Sequence, residues 1–112
     1  MEKRIGEIEE RRAKLEVLLT QFAALGERGR SLNHSVVEIS QSKKEGNQKE
    51  LLPRLDEVLA RLDELIAGAL QLVQAADAEQ MEDVSRDADA LRKQLQGARN
   101  KVNLLAQQIR AV

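Results

Sequence analysis

Apolar residues recur at alternating spacings of three and four in three long stretches, and this repeat restricts the possible folds more than any other feature of the chain. The first stretch carries Leu15, Leu18, Phe22, Leu25, Gly29, Leu32, Val36 and Ile39. The second carries Leu52, Leu55, Leu59, Leu62, Ile66, Ala69, Val73 and Ala76. The third carries Met81, Val84, Ala88, Leu91, Leu95, Ala98, Val102, Leu105, Ile109 and Val112. Since a mean period of about 3.5 residues is typical of heptad positions a and d, the sequence predicts an all-α fold of three long amphipathic helices.

Breaker residues and polar segments give the expected helix boundaries within a single domain, residues 1–112. The first helix is predicted over about 2–42 and is followed by a polar loop over about 43–50, where Gly46-Asn47 is a turn signal. Pro53 is tolerated only in the first turn of a helix, so the second helix is predicted over about 51–76. The third is predicted over about 78–111.

The junction between the second and third helices is less clearly marked. Ala76 and Met81 are five residues apart, so the heptad register slips there, and Asp77 with Gln80 resembles a capping box. We expect a tight turn around Asp77. The alternative is one continuous helix from Leu52 to Val112 with a skip residue in the heptad.

These elements predict an antiparallel three-helix bundle, with a helical hairpin or coiled coil as the alternative if the second and third helices are continuous. When the first two apolar seams are aligned, residues 2–14 project from one end. The last turns of the third helix, around Ile109 and Val112, project from the other end. The projecting 2–14 segment lacks a neighbour in this arrangement, so partner binding or dimerisation would supply its missing face.

The second helix carries an additional apolar row at heptad position g. The row consists of Leu51, Val58, Leu65 and Leu72. A stripe this wide faces two neighbours, so it packs either against both other helices of the chain or partly against another chain. The candidate partner-interface residues are therefore Leu51, Val58, Leu65, Leu72, Ile5, Ile8, Ile109 and Val112.

Gly26 and Gly29 lie inside the first predicted helix, and each costs up to about 1 kcal/mol relative to Ala. They indicate a hinge, a close approach of another helix, a tolerated weak point or a true break that would give four helices. Leu25 and Leu32 keep the register across the pair, which favours an unbroken helix.

Residue types that carry chemistry are scarce. The chain has no Cys and a single histidine, His34, at a position opposite the apolar seam. A zinc site needs three or four ligands in close geometry, so we predict no metal, no cofactor and no enzyme activity. The abundant acids stand four residues before a base, as expected for helix-surface pairs. These pairs are Glu7–Arg11, Glu10–Lys14, Glu57–Arg61, Glu82–Arg86 and Asp89–Lys93.

The charge balance and the polar N-terminal residues limit the binding partners and the cellular location that we expect. The formal net charge is −1, which argues against a general binder of nucleic acid or anionic membranes. Basic clusters occur at Arg11-Arg12-Lys14, Arg28–Arg30 and 92–101, without aromatic residues that would stack on bases. We expect a cytoplasmic protein, since no signal peptide or transmembrane segment is indicated.

The expected function is that of a protein-interaction module, an adaptor, scaffold or assembly subunit that binds another helical chain or itself. The segments Leu51-Leu52-Pro53 and Glu82-Asp83-Val84-Ser85, the length and the three-helix plan are similar to those of tubulin-binding cofactor A. The turn-to-proline spacing departs from that family. The resemblance implies an alternative function, a small helical chaperone that shields an apolar partner surface. A nucleic-acid-associated regulator is the second alternative.

Overall fold

The chain forms three long helices joined by short connections. The computed structural model describes the backbone of residues 2–42 and 48–111, and the side chains of residues 6–41 and 49–111. Helix α1 spans Glu2–Ser42, α2 spans Leu52–Ala78 and α3 spans Glu82–Arg110, with a 3₁₀ turn at Gln48–Leu51 before α2. The described residues include no strand. The all-α prediction is confirmed, whereas the turn expected at Gly46-Asn47 lies outside the described residues.

The turn between α2 and α3 separates two helices, so the continuous-helix alternative is wrong. Gln80 has a φ of 58°. Its N–H donates to the carbonyl of Asp77 at 3.0 Å, and the N–H of Met81 donates to the carbonyl of Ala76 at 2.8 Å. These two bonds form a Schellman motif, which usually has Gly at the left-handed position that Gln80 occupies here.

The same turn corrects the predicted capping box. Asp77 lies in the last turn of α2, and its carboxylate accepts a hydrogen bond from the Ser85 hydroxyl. Met81 occupies the N-cap of α3 without a side-chain cap, while Glu82 and Asp83 follow in the first turn. The acidic pair there interacts favourably with the positive end of the helix dipole.

The bundle is a narrow rod measuring 69 × 17 × 17 Å. Its radius of gyration is 18.5 Å, against about 13 Å for a compact domain of this length. Helices α2 and α3 pack more closely against each other than either does against α1. The pairs Arg110–Asp56, at 2.8 Å, and Arg99–Asp63 also link α3 to α2.

Burial differs sharply between the helices. Seven side chains of α2 are buried, namely Leu55, Val58, Leu62, Leu65, Ala69, Leu72 and Ala76. Among the described side chains of α1, only Leu18, Leu32 and Ile39 are buried. Helix α1 is the longest helix, with 41 residues. It nevertheless has the fewest buried side chains among its described residues.

Two glycines allow leucine side chains to pack closely where α1 meets its neighbours. A Cβ at Gly29 would lie 3.2 Å from Cδ2 of Leu95 on α3, and one at Gly68 would lie 3.2 Å from Cδ2 of Leu25 on α1. A Cβ at Gly26 would meet nothing within 4 Å. Helix α1 continues through Gly26 and Gly29, so the favoured unbroken helix is confirmed, the alternative of a true break is wrong, and the close-approach interpretation holds for Gly29.

Both projecting ends require correction. Ile109 is 1% exposed in the core cluster that contains Leu51 and Leu55, so the last described turns of α3 are covered rather than projecting. At the other end, Arg11 and Lys14 contact the α2–α3 turn. Ile8 also lies beside the turn, where it lines a groove with Met81, so the overhang is shorter than predicted and comprises residues 2–7, about 9 Å of helix.

Candidate protein-interaction surface

The apolar g row of α2 lies inside the chain. Leu51, Val58, Leu65 and Leu72 are 2–7% exposed. They belong to the two core clusters, which also contain residues of α1 and α3. The row therefore packs against both neighbours, which was one of the two alternatives. In the closed bundle it offers no surface to a second chain.

The other candidate interface residues differ in their surroundings. Ile109 is buried, as described above, so it is not an accessible contact. Ile8 is 60% exposed, which leaves it available to a partner. The side chain of Ile5 and the whole of Val112 lie outside the described residues, and their proposed roles stay predictions.

Ile8 belongs to a row of apolar side chains along one side of α1, which we call the α1 stripe. It consists of Ile8, Leu15, Leu19 and Phe22. With 100° of rotation per residue, all four point within about 60° of one another. Leu19 is 47% exposed, and Leu15 and Phe22 are half-buried. This stripe is the longest apolar feature that α1 leaves accessible.

Sequence reasoning missed most of this stripe. Leu15 and Phe22 occupy a positions of the seam, which is normally covered within a bundle. Leu19 was not distinguished, although its spacing of four from Leu15 and three from Phe22 places all three on one face. That spacing was the available signal, and it identifies a wide apolar face without indicating that this face remains uncovered.

An open groove of about 570 Å³ lies between α1 and α3 beside the stripe. Phe22, Gly26 and Gly29 line it from α1, and Leu91 and Leu95 are among the residues that line it from α3. The absence of a side chain at Gly26 contributes to the gap, because a Cβ there would meet nothing within 4 Å, whereas Leu95 already packs against Gly29. The groove is open to solvent, and its apolar lining is interrupted by the polar side chains of Arg30, Asn33, Asp87 and Gln94.

A second groove, of about 530 Å³, lies where α1 passes the α2–α3 turn. Ile8 and Leu15 line one wall, and Met81 and Val84 line the other. Near this groove, Lys14 Nζ lies 3.1 Å from Glu79 Oε1, which belongs to the α2–α3 turn. The guanidinium of Arg11 donates to the Gln80 carbonyl at 3.5 Å. These contacts hold the N-terminal half of α1 against the turn while leaving Ile8 exposed.

Three of the five predicted helix-surface pairs do not form, because their basic side chains take other partners among the described residues. Glu57–Arg61 forms at 2.8 Å and Asp89–Lys93 at 3.2 Å, as expected from their spacing. Lys14 instead contacts the turn. Arg86 lies 3.5 Å from Asp83 and 3.6 Å from Asp87 rather than beside Glu82. The α2–α3 turn, for Lys14, and other carboxylates of the same helix, for Arg86, therefore compete with the i,i+4 pairs.

Asp89 is the one described carboxylate with a clear electrostatic perturbation. Hydrogen bonds from Arg92 and then Lys93 hold its pKa below its ordinary value of 3.8. The third basic cluster is thereby partly neutralised, since Arg92 and Lys93 face Asp89 and Arg99 faces Asp63. Such pairing reduces the positive potential that a nucleic-acid phosphate would meet.

The described side chains bury no polar or charged residue and form no group of three His, Cys, Asp or Glu that could hold a metal ion. His34 is exposed on α1. Within the described residues, no helix has both the length and the apolar character needed to cross a membrane. The absence of enzyme activity and a cytoplasmic location remain predictions from the sequence.

Comparison with known proteins assigns neither a family nor a function to the chain. No protein-family model matches the chain, and no curated protein or solved structure shows significant similarity to it. The short resemblance to tubulin-binding cofactor A therefore receives no support from a family match.

Proposed function

We propose that the protein is a non-enzymatic helical interaction module, an adaptor, scaffold or assembly subunit, that binds another helix through the α1 stripe. One observation carries the proposal: α2 and α3 each leave one large apolar side chain exposed, Leu70 and Leu104, whereas α1 leaves Ile8 and Leu19 exposed in line on one side. Single exposed apolar residues are ordinary, but an aligned set beside an open groove is a typical feature of helix-docking surfaces.

The geometry of the surface also favours a helix over other ligands. The stripe runs from Ile8 to Phe22, which corresponds to about 21 Å along the axis. The open groove beside it, lined by Leu91, Leu95 and Phe22 and by polar residues such as Arg30 and Gln94, suits a second amphipathic helix with an apolar row and polar flanks. Small-molecule sites, by contrast, are generally concave pockets that enclose most of the ligand.

The proposal is tested by affinity purification from an extract of the cells that produce the protein, with the wild type and two variants. Leu19→Asp places a charge in the stripe. Val17→Asp is the matched control, because Val17 is 55% exposed and lies on the opposite side of α1. We expect the wild type and Val17→Asp to retain a stoichiometric partner and Leu19→Asp to lose it. A second copy of this chain counts as such a partner.

Two results would contradict the proposal: no stoichiometric partner at all, or the same partners on all three baits. The lifetime of the captured complex then separates the two protein-binding alternatives. An adaptor or scaffold stays bound during washing and exchange with free competitor, whereas a chaperone releases its client reversibly.

A further inference from the structure

We infer that the α1 stripe pairs with the α1 stripe of a second copy of this chain, antiparallel and related by a twofold axis. The inference rests on the proposed function and names the partner that the charges on this face fit best. The two most exposed members of the stripe are Ile8 and Leu19, and the charged residues Arg12 and Glu16 lie between them.

Arg12 and Glu16 form no ion pair with any side chain that the structure describes, although Arg11 and Lys14 beside them contact the α2–α3 turn. The side chains of Arg12 and Glu16 stay exposed. Their order along the helix, base before acid at i,i+4, is the less favourable one for a pair within a single helix. Both charges are therefore available to another molecule.

An antiparallel twofold arrangement satisfies the apolar and charged residues together. If Ile8 of one copy lies opposite Leu19 of the other, the symmetry places Leu19 opposite Ile8 as well. Arg12 then lies within one residue, about 1.5 Å along the axis, of Glu16 of the second copy. The twofold axis repeats this ion pair, so one register provides two apolar contacts and two salt bridges.

The length over which the two α1 helices overlap determines how tightly we expect the dimer to bind. In this register, residues 2–25 of the two α1 helices run side by side for about 36 Å, over a strip about 10–12 Å wide. Such a strip is smaller than the roughly 800 Å² that each partner buries in a standard interface. We therefore expect a reversible dimer whose dissociation constant lies in the micromolar range or above.

Sedimentation equilibrium of the purified full chain, from micromolar to millimolar concentration, tests the inference. The wild type and Val17→Asp should associate to dimers over this range, and Leu19→Asp should raise the dissociation constant by about tenfold or more. Far-UV circular dichroism and a melting curve for each variant check that the bundle remains folded. A wild type that stays monomeric at millimolar concentration overturns the inference.

Charge reversal tests the register itself. Arg12→Glu alone, or Glu16→Arg alone, places like charges opposite each other twice in a homodimer, and each should weaken self-association by about tenfold or more. Mixing the two variants places opposite charges at both contacts, so the mixture should form heterodimers with near wild-type affinity. The double variant Arg12→Glu/Glu16→Arg should also recover homodimers.

The mixing experiment is internally controlled, because each chain in the mixture is the same molecule that was measured alone. Equal association in the mixture and in the separate solutions would overturn the antiparallel register. A monomeric wild type that still captures a different protein through Leu19 would overturn the self-pairing while leaving the proposed function standing.

Discussion

Substitution of the two glycines inside α1 by alanine should have opposite effects on stability, although both lie in the same helix three residues apart. Gly in a helix interior costs about 0.5–1 kcal/mol relative to Ala. A Cβ at Gly26 meets nothing within 4 Å, so Gly26→Ala should recover this amount in full. The expected rise in melting temperature is about 2–5 °C.

Gly29→Ala gains the same helix propensity but introduces a steric conflict. The new Cβ would lie 3.2 Å from Cδ2 of Leu95, closer than the roughly 3.5–4.0 Å optimum for carbon atoms. Leu95 is 4% exposed within the core cluster, so moving its side chain away from the new Cβ and into the neighbouring groove would take it out of those contacts and expose it to solvent. Overpacking of this kind costs typically about 1–3 kcal/mol, which exceeds the gain and predicts a net loss of roughly 1 kcal/mol.

Urea and thermal unfolding followed by circular dichroism measure both variants against the wild type at one protein concentration. Each variant serves as the control for the other, because the change in helix propensity is identical. If Gly29→Ala stabilises the chain as much as Gly26→Ala, then α1 and α3 do not approach each other at Gly29, and the packing described for α1 is wrong.

Two further predictions concern the core and the turn. Leu62→Ala should lower the free energy of unfolding by about 2–5 kcal/mol, because Leu62 is 2% exposed. The control Leu70→Ala, at a position that is 45% exposed, should stay within about 0.5 kcal/mol of wild type. Equal chemical denaturation midpoints for the two variants would show that the centre of α2 is not packed as described. Gln80→Gly should stabilise the chain by about 1 kcal/mol, since the left-handed conformation costs a non-glycine residue roughly 1–2 kcal/mol. Gln74→Gly, inside α2, should instead destabilise it by about 0.5–1 kcal/mol in the same thermal assay, and a destabilising Gln80→Gly would contradict the turn geometry.

Several features were predictable from the sequence because their causes are local. The heptad repeat and the first-turn position of Pro53 predicted the helices, with α2 and α3 shifted by a few residues. The five-residue step from Ala76 to Met81 indicated the turn, because a helix that kept its apolar face would have needed a step of three or four. The identity of the capping residues was not predictable in the same way, since a Schellman motif at Gln80 lacks the glycine that normally signals it.

The candidate surface depended on information that lies beyond any single helix. The residues of the α2 g row and of the α1 stripe are both apolar and both helically spaced, yet one set is buried and the other is accessible. Leu65, at 5% exposure, lies in the core with residues of α1 and α3, while Leu19, at 47%, is accessible on α1. Both rows are equally apolar in sequence, and the hydrophobicity of a row does not indicate which neighbouring helix, if any, covers its side chains.

The amino-acid sequence by itself determined that this chain forms three amphipathic helices, because periodicity and helix propensity act within a few residues. The tertiary structure alone decided that the 3₁₀ turn and α2 cover Ile109, that Arg11 and Lys14 contact the α2–α3 turn, and that α1 keeps one apolar side open. The physical reason is that burial depends on the register and spacing between helices. Those are set by side chains far apart in the chain, such as the fit of Leu95 against Gly29.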